Sequence, residues 1–329
     1  MRQVAVVTTG FFDGVHLGHR HVLETVVSSA RERGEEAIVV TFWPHPRTVL
    51  QQDAREFRLL TSIEEKKERL LACGIDRVEV LPFTREFAAL KADEYLRLLR
   101  DRYGASLVVM GYDNRIGSDR LTAADLSGMD TQVPVLVSGP VFLGRQDTQT
   151  HVLVSGCGAS TWREADKNYF SGRYPKNQFS SAGDNPMHVS STQIRKALET
   201  GDIGLANEML GYSYGLYGVV VAGNRMGRTI GFPTANMQLY EPLKLVPCNG
   251  VYTVAVEVMG RQYRGMCNIG LRPTVDGKVR TIETHILDFN EDIYGLPLRI
   301  RFLRRIRDER KFPSLEALKQ QLVNDREAC

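Results

Sequence analysis

The chain has 329 residues, of which 43% are hydrophobic and 25% are charged, and its formal net charge is +3. Such a length predicts about two domains, each large enough to bury a core. The composition is that of an ordinary globular protein, and no apolar run approaches the ~18 residues that a membrane helix needs, so we expect a soluble chain with no membrane partner.

The cysteines are odd in number, scattered and without a CxxC pair: Cys73, Cys157, Cys248, Cys267 and Cys329. This pattern argues against a disulfide framework and against a zinc site. The first residues also lack a basic segment followed by an apolar one, so no signal peptide is expected. We therefore predict a reducing, cytoplasmic location.

Positive charge is concentrated in the C-terminal part of the chain. Residues 1–210 carry 25 basic and 27 acidic side chains, and the remainder carries 17 and 12. Residues 299–311 hold seven of these cations, a feature that nucleic-acid-binding proteins also show. Because residues 299–302 alternate as a half-buried strand does, solvated arginines on a sheet edge are favoured over nucleic-acid binding.

The first predicted element is an apolar, β-branched strand at residues 4–8. A Gly-rich turn at residues 10–18 follows it, and residues 20–33 have a helical pattern. Backbone N–H groups at the first turn of a helix, together with the positive end of its dipole, bind phosphate oxygens. The sequence therefore predicts a nucleotide-binding turn.

Two histidines in this turn, His16 and His19, are three residues apart. That spacing puts both on one face of a helix start, where both can donate to one anion, and Gly14 and Gly18 remove side-chain bulk there. The alternative is two unrelated surface histidines, which their position after a strand and beside glycines disfavours. The His-Leu-Gly-His signature resembles the paired-histidine motif of the nucleotidyltransferase superfamily, in which catalysis is positioning plus charge stabilisation.

Strands and helices alternate along the rest of the first half. We predict strands at residues 37–42, 78–81 and 107–110, and helices at residues 62–72 and 95–102. This alternation is typical of a doubly wound parallel sheet, whose ligands lie beyond the carboxyl ends of the strands. Three segments that follow strands would gather at that edge: the Gly10 turn, residues 43–46 and residues 111–117.

Two local features of this half carry further expectations. The proline pair around His45 predicts an extended exit from the preceding strand that places His45 rigidly. In helix 62–72, which follows a Thr-Ser capping signal, a charged run is expected on the exposed face. That run consists of Glu64, Glu65, Lys66 and Lys67.

The periodic pattern fails near residues 139–187, so we expect an irregular insertion there, as a mobile segment, a lid or a small subdomain. Order returns in a hydroxyl-rich cap at residues 189–195 that opens a helix to about Thr200. Its hydroxyls and N–H groups could hold phosphate with Arg195 nearby, although the bare pattern favours a plain helix cap. Another short helix at residues 202–210 precedes a change of texture, and we place a domain boundary after Leu210.

The second half alternates short strands with turn residues, as an antiparallel barrel does. Five strands are predicted, at residues 216–221, 252–258, 263–269, 281–287 and 298–302. A helix at residues 314–325 closes the chain.

Four segments of this half resemble the flavokinase signature, and together they cover essentially all of residues 212–329. They are residues 223–236, 268–274, 283–285 and 292–295. The first half is similar to the partner of that kinase in the bacterial bifunctional riboflavin kinase/FAD synthetase family. The matching segments there are residues 10–19, 43–46, 111–117 and 190–195.

The resemblance implies an α/β plus β architecture with two activities. Residues 1–210, with the irregular insertion near 139–187, would form a Rossmann-like nucleotidyltransferase domain that adenylylates FMN with ATP, giving FAD and pyrophosphate. Residues 211–329 would form a six-stranded antiparallel flavokinase barrel with a C-terminal helix, which phosphorylates riboflavin with ATP. Mg²⁺ is implied at both sites, and homo-oligomerisation is left open.

For the kinase, the resemblance implies that Glu283 accepts the proton of the ribityl hydroxyl. From its position alone an outward strand carboxylate is the preferred interpretation. Thr234 and Asn236 carry hard oxygen donors suited to Mg²⁺. The implied ATP-binding residues of the kinase are Gly223, Gly227, Arg228, Gly231, Pro233, Thr234 and Asn236.

For the adenylyltransferase, the FMN phosphate is already ionised, so cations and donors are needed rather than a base. His16, His19 and Arg195 are the implied catalytic groups, and His45 either assists or braces its own turn. The implied ATP contacts are Gly10, Phe11, Asp13, Gly14, Gly18, Asp113, Arg115, Ser190, Ser191 and Thr192.

Two departures from the family pattern bear on this domain. Asn114 and Ile116 stand where the family usually has an aromatic residue and Phe, so packing around the nucleotide or flavin would differ. The long stretch at residues 139–187 would abolish adenylyl transfer if it blocked the cleft. This leaves as alternatives a riboflavin kinase with a regulatory or inactive N-terminal domain, and a flavin-binding transcription or RNA regulator.

Overall fold

The computed structural model describes residues 4–50, 57–127, 129, 131, 133–146, 149–154, 187–223, 226–274 and 277–329. The chain divides into two compact units, Met1–Ser191 and Thr192–Cys329, and each is described by itself. The predicted domain boundary after Leu210 lies two helices later in the chain than this division, and it remains a prediction.

A five-stranded parallel sheet forms the centre of the first unit, in the order β3-β2-β1-β4-β5. Its strands are β1 (Ala5–Thr9), β2 (Glu36–Trp43), β3 (Arg77–Pro82), β4 (Ala105–Gly111) and β5 (Val135–Ser138). The chain moves outward from β1 to β3, then returns beside β1 with β4. The expected doubly wound sheet is therefore confirmed, and its strand order reverses between β1 and β4.

In the described part of this unit, six helices accompany the strands. They are α1 (Leu17–Arg33), α2 (Pro46–Leu50), α3 (Ile63–Ala72), α4 (Arg85–Ala88), α5 (Ala92–Tyr103) and α6 (Ala123–Ser127). Neighbouring residues of one strand serve opposite layers: Val6 packs with α1, whereas Val7 packs with α5. Side chains alternate across a strand, so an unbroken apolar strand supplies both layers of the core.

Two local expectations need correction. The chain after the proline pair is not extended, because Pro46 opens α2, as its fixed φ favours at a first helical position. In α3, which Ser62 and Glu65 cap reciprocally, Lys66 is not on the exposed face but fully buried. Lys66 precedes the buried Leu70 by four residues, and residues at that spacing share a helix face.

The segment expected to be irregular contains a small antiparallel sheet. Its strands are β6 (Val141–Gln146), β7 (Gln149–Val154) and β8 (Met187–His188), in the order β7-β6-β8. The expectation of irregularity is therefore wrong for the ends of the stretch 139–187. Residues 155–186 of it lie outside the described residues.

The second unit is a closed antiparallel barrel with the strand order β10-β13-β12-β11-β14-β9. Its strands are β9 (Gly215–Val221), β10 (Ala235–Leu239), β11 (Gly250–Val258), β12 (Arg261–Thr274), β13 (Gly277–Ile286) and β14 (Pro297–Arg307). The helices described with them are α7 (Ser191–Thr200), which begins at the end of the first unit, α8 (Ile203–Leu210), α9 (Met226–Thr229) and α10 (Leu315–Glu327). The six-stranded barrel and the final helix are confirmed.

Alternation along β14 separates the barrel interior from its outer face. Leu298, Ile300 and Phe302 are fully buried, whereas Arg301 lies outside and pairs with Glu257 at 2.9 Å. The arginines do not line a sheet edge as expected, because the barrel is closed and β14 is paired on both sides. Within the described ranges, no helix combines the length and apolar character needed to cross a bilayer.

Candidate active sites

The Gly-rich turn of the first unit connects β1 to α1 through backbone that few residues adopt. Phe12 and Val15 have φ values of 49° and 38°, and Gly14 has 84°. Left-handed backbone is rare for a β-branched residue such as Val15, and such strain persists only where surrounding contacts hold it. The amide of Val15 donates to the carbonyl of Phe12 at 3.1 Å, which closes the turn tightly.

Residues just before α3 hold this turn from behind. The Asp13 carboxylate accepts the amides of Leu60 at 3.0 and 3.1 Å and of Thr61 at 3.1 Å. The Thr61 hydroxyl donates to Asp13 at 3.2 Å and accepts the Gly14 amide at 3.1 Å. Asp13 is buried, so its carboxylate braces the turn here, and its expected contact with ATP remains a prediction.

The paired histidines lie side by side at the start of α1. The His16 and His19 rings stack at 3.6 Å between centroids with an interplanar angle of 17°. His16 is the N-cap, and its Nδ1 accepts the His19 amide at 3.3 Å. Because Nδ1 accepts, the neutral His16 ring carries its proton on Nε2, which can donate to a ligand. The predicted common face of the two imidazoles is thus present.

Three strand ends meet around this turn, as predicted for the carboxyl edge of the sheet. The Gly10 amide donates to the carbonyl of Val40 on β2 at 3.1 Å. The Asn114 amide group, beyond β4, donates to the carbonyl of Thr9 at 3.0 Å. Asn114 thus bridges β1 and β4 where the strand order reverses, the place where doubly wound sheets bind ligands.

The remaining predicted residues of this edge have more varied positions. The Phe11 ring contacts His45 with centroids 3.7 Å apart, so His45 at least braces the turn. Asp113 and Arg115 lie in the loop after β4, where Arg115 donates to the carbonyl of Arg120 at 3.4 Å. Ile116, one of the two departures from the family pattern, is a buried member of the core.

The hydroxyl-rich cap also reaches the turn. Ser190 immediately precedes α7, and the Ser191 hydroxyl donates to the carbonyl of Asp13 at 2.9 Å. Thr192 and Arg195 follow on α7 and belong to the second unit. The sequence favoured a plain cap here on pattern alone, and the structure adds a contact from Ser191 to the turn at residues 10–18.

In the second unit, glycines of residues 223–236 allow close approach of neighbouring groups. A Cβ on Gly223 would lie 2.1 Å from Nδ2 of Asn236, and one on Gly227 would lie 2.2 Å from the carbonyl oxygen of Phe232. The Phe232 amide donates to the Gly227 carbonyl at 2.8 Å, which folds the segment back on itself. Gly231 has a φ of 84°, which glycine adopts without strain.

Glu283 lies on the outer face of the barrel between two carboxamide residues. It is opposite Asn236 on β10 and opposite Asn268 on β12. Side chains of directly opposite residues share a face and lie within contact distance. Glu283 therefore points outward, as expected from its position in the sequence. It is half-buried, however, and lies beside Asn236, which the flavokinase resemblance assigns to the metal.

Two residues that sequence reasoning did not select also support these sites. His285 Nδ1 hydrogen-bonds to the carbonyl of Pro233 at 2.8 Å, which fixes the loop that carries Thr234. Its place two residues after Glu283, on the same strand face, is a signal that could have identified it. Lys66 lies beneath Phe11, with Nζ 3.6 Å from the ring centroid. Its spacing of four residues from Leu70 is the signal in the sequence that could have indicated its burial.

The donor chemistry at Thr234 and Asn236 suits a magnesium ion. A hydroxyl and a carboxamide oxygen are hard ligands, and the carboxylate of Glu283 is on the same face. Among the described residues, no cluster of three or more His, Cys, Asp or Glu side chains could hold a metal ion. The residues present fit an ion that binds mainly to phosphate and water and only partly to protein.

Comparison with known proteins supplies two family matches that divide the chain. The sequence profile of the riboflavin kinase family matches residues 210–329. The profile of the FAD synthetase family matches residues 1–135. The first profile includes residues 223–236 and Glu283, the second includes the turn at residues 10–18, and the cap at residues 189–195 lies outside both ranges.

Relatives match the chain over nearly its whole length. The bifunctional riboflavin kinase/FMN adenylyltransferase of Bacillus subtilis is 34% identical over 331 residues, covering 98% of this chain and 90% of the relative. The protein of the same name from Escherichia coli K12 is 33% identical and covers 97% and 90%. A solved structure from Streptococcus pneumoniae, described as a macrolide-efflux protein, has a TM-score of 0.81 at 32% identity and covers 100% and 94%.

Proposed function

The chain belongs to the bifunctional riboflavin kinase/FMN adenylyltransferase family, and we propose that it performs both reactions, each at its own site. Riboflavin is phosphorylated by ATP on the barrel to give FMN. FMN is then adenylylated by a second ATP at the parallel sheet, giving FAD and pyrophosphate. The observation that supports this proposal is that one chain carries two segments, the turn before α1 and the glycine-containing residues 223–236, whose neighbouring groups suit different nucleophiles.

For the kinase reaction, the nucleophile is a hydroxyl that must lose its proton. Glu283 lies between Asn236 and Asn268, which are opposite it on the two neighbouring strands. Its carboxylate can accept a proton, whereas the two carboxamides cannot, and we assign Glu283 as the general base. Residues 223–236 supply backbone amides for the ATP phosphates, with Arg228 as a nearby cation. Thr234 and Asn236 would hold Mg²⁺, which when bound neutralises phosphate charge.

For adenylyl transfer, the nucleophile is a phosphate oxygen that is already ionised, so the site needs donors rather than a base. The stacked imidazoles of His16 and His19 and the start of α1 are arranged to stabilise negative charge as pyrophosphate leaves. Ser190, Ser191 and Thr192 are assigned to phosphate contacts at the start of α7. Arg195, one turn into that helix, is assigned as a phosphate clamp.

The proposal extends to the setting of the enzyme. Both reactions consume ATP, which supports a cytoplasmic location, and the four cysteines that the structure describes are not in disulfides. A riboflavin kinase with an inactive first unit is the alternative. The stacked rings of His16 and His19, and the hydrogen bond from the Ser191 hydroxyl to the Asp13 carbonyl, favour the bifunctional enzyme over this alternative.

One chromatographic experiment tests the proposal. The purified full-length protein is incubated with riboflavin, ATP and Mg²⁺, and FMN and FAD are followed over time. We expect FMN to appear first and FAD to accumulate at its expense, with one pyrophosphate per FAD. Formation of FMN without FAD would support the alternative. The absence of both FMN and FAD would refute the proposal.

A further inference from the structure

A buried ammonium group lies directly beneath the nucleotide turn of the first unit. Lys66 is fully buried on α3, and its Nζ is 3.6 Å from the centroid of the Phe11 ring. Among the residues that the structure describes, none accepts a hydrogen bond from this Nζ. Buried polar groups in proteins are nearly always hydrogen-bonded, so such a cation calls for an explanation.

The surroundings of Lys66 are the parts of the turn that hold its strained backbone. Phe11 is next to Phe12, whose φ is 49°, and the carbonyl of Phe11 accepts the Thr41 hydroxyl at 3.3 Å. On the other side, the Asp13 carboxylate attracts the ammonium and binds the amides of Leu60 and Thr61, a few residues before α3 begins. The ammonium therefore acts on both neighbours of Phe12 at once.

Burial of Lys66 disfavours the positive charge of its ammonium group. Burial lowers the pKa of the Lys66 ammonium to about 8, and the nearby Asp13 carboxylate only partly offsets this. An apolar side chain of similar length would fill the same space without that cost. Groups held in this way are concentrated at functional sites.

We propose that Lys66 is a positioning residue for adenylyl transfer, which fixes the Phe11 ring and the Asp13 carboxylate so that the turn presents its amides and imidazoles to ATP. The ammonium attracts the face of the aromatic ring and the carboxylate together, which pins the backbone on either side of Phe12. Lys66 itself does not contact the reacting atoms. This inference rests on the proposed FMN adenylyltransferase function of the first unit.

The test compares Lys66→Met with Lys67→Met, which removes an exposed lysine from the next position of α3. We expect Lys66→Met to lower kcat for FAD formation from FMN about tenfold, with KM for FMN nearly unchanged. Its unfolding midpoint, followed by tryptophan fluorescence, should rise at neutral pH because an opposed charge is gone. Lys67→Met should resemble the parent in both measurements.

If Lys66 had only a structural role, Lys66→Met would not combine greater stability with a lower kcat. A Lys66→Met protein that loses stability and active fraction together, or that makes FAD at the parent rate, would overturn the inference. A parent protein that makes no FAD would instead refute the proposed function on which it rests.

A second variant tests the route through the ring and keeps the test open if Lys66→Met folds poorly. Phe11→Leu removes the ring and leaves the ammonium, and we expect a loss of kcat of similar size. The double variant should then be little slower than either single one, because both remove the same contact. Losses that multiply in the double variant, or a Phe11→Leu protein with parent kcat, would overturn the inference.

Discussion

The turn at residues 10–18 follows a buried parallel strand and leads into a helix, whereas residues 223–236 join two strands of a closed antiparallel barrel. The first turn is strained and is held from behind by buried charged and hydroxyl groups such as Asp13 and Thr61. The second segment instead relies on glycines that admit other groups closely. The first turn leads into a long helix, whose start supplies donors for an anion, whereas beside the second segment the paired strands β10 and β13 place Asn236 opposite Glu283.

The largest expected effect follows from the difference in nucleophiles. Glu283→Gln keeps size and hydrogen bonding but removes basicity, so we expect riboflavin phosphorylation to fall by about 10³-fold. FAD synthesis from supplied FMN should continue at the parent rate, since an ionised phosphate needs no base. Both rates are measured by chromatography on the same preparation.

Two outcomes would contradict this separation of the sites. Riboflavin phosphorylation at the parent rate would show that Glu283 is not the base. A parallel loss of FAD synthesis from FMN would show that the two sites do not work independently.

The reciprocal experiment concerns the imidazoles. His19→Ala removes one donor from the stacked pair, and we expect FMN adenylylation to fall by about 10²-fold while FMN accumulates from riboflavin. His21→Ala is the matched control, because His21 is on the same helix but outside the stacked pair. If His19→Ala made FAD at the parent rate, or if His21→Ala were equally slow, the active turn would lie elsewhere.

The stability of the first unit should depend on the titration of Lys66. Its folded pKa of about 8 is below the ordinary value of 10.5, so between these pH values the unfolded chain binds the extra proton. The free energy of unfolding therefore rises with pH across this window, by at most about 3 kcal/mol, and the penalty is fully present below pH 8. In Lys66→Met this rise should be absent.

The measurement is urea unfolding followed by tryptophan fluorescence at pH 7 to 10. Trp43 is the last residue of β2 in the first unit, so its fluorescence reports on the unfolding of that unit. Burial also raises the pKa of Glu24, to about 8, but this group is common to both proteins and cancels in the difference. Parallel pH profiles for the parent and Lys66→Met would contradict the prediction.

The sequence predicted those features that a local pattern determines. Apolar, β-branched runs identified four of the five parallel strands, and the Ser62 cap precedes a helix where expected. The short β5 and the hairpin of β6 and β7 were missed, because brief strands gain their stability from tertiary pairing rather than from a strong local pattern. The sixth barrel strand, β10, was reached through the family resemblance rather than by its alternation.

The candidate sites divide in the same way. The stacked histidines and the placement of strand-end loops on one edge followed from spacing and topology. The burial of Lys66 did not, because a run of four charged residues is read as an exposed face unless one position is matched to the apolar stripe. The bond from His285 to Pro233 joins residues 52 apart in sequence, a distance over which no local pattern acts.

The smallest effect we predict tests whether close approach at Gly223 matters for the barrel site. In Gly223→Ala the new Cβ would lie 2.1 Å from Nδ2 of Asn236, so the carboxamide must shift. Because a displaced side chain can partly recover its place, we expect riboflavin phosphorylation to slow on the order of tenfold, less than a full 1 Å misplacement of a catalytic group can produce. Gly204→Ala is the control, since its Cβ meets only Asp202 Oδ1 at 3.7 Å, an ordinary contact.

If Gly223 acts through Asn236, combining Gly223→Ala with Asn236→Ala should slow the kinase no more than Asn236→Ala alone, and FAD synthesis from FMN should be unchanged in all of these variants. Multiplying losses in the double variant would mean that Gly223 contacts ATP through its own backbone, which would make the barrel loop more like the strained turn of the first unit than the structure indicates.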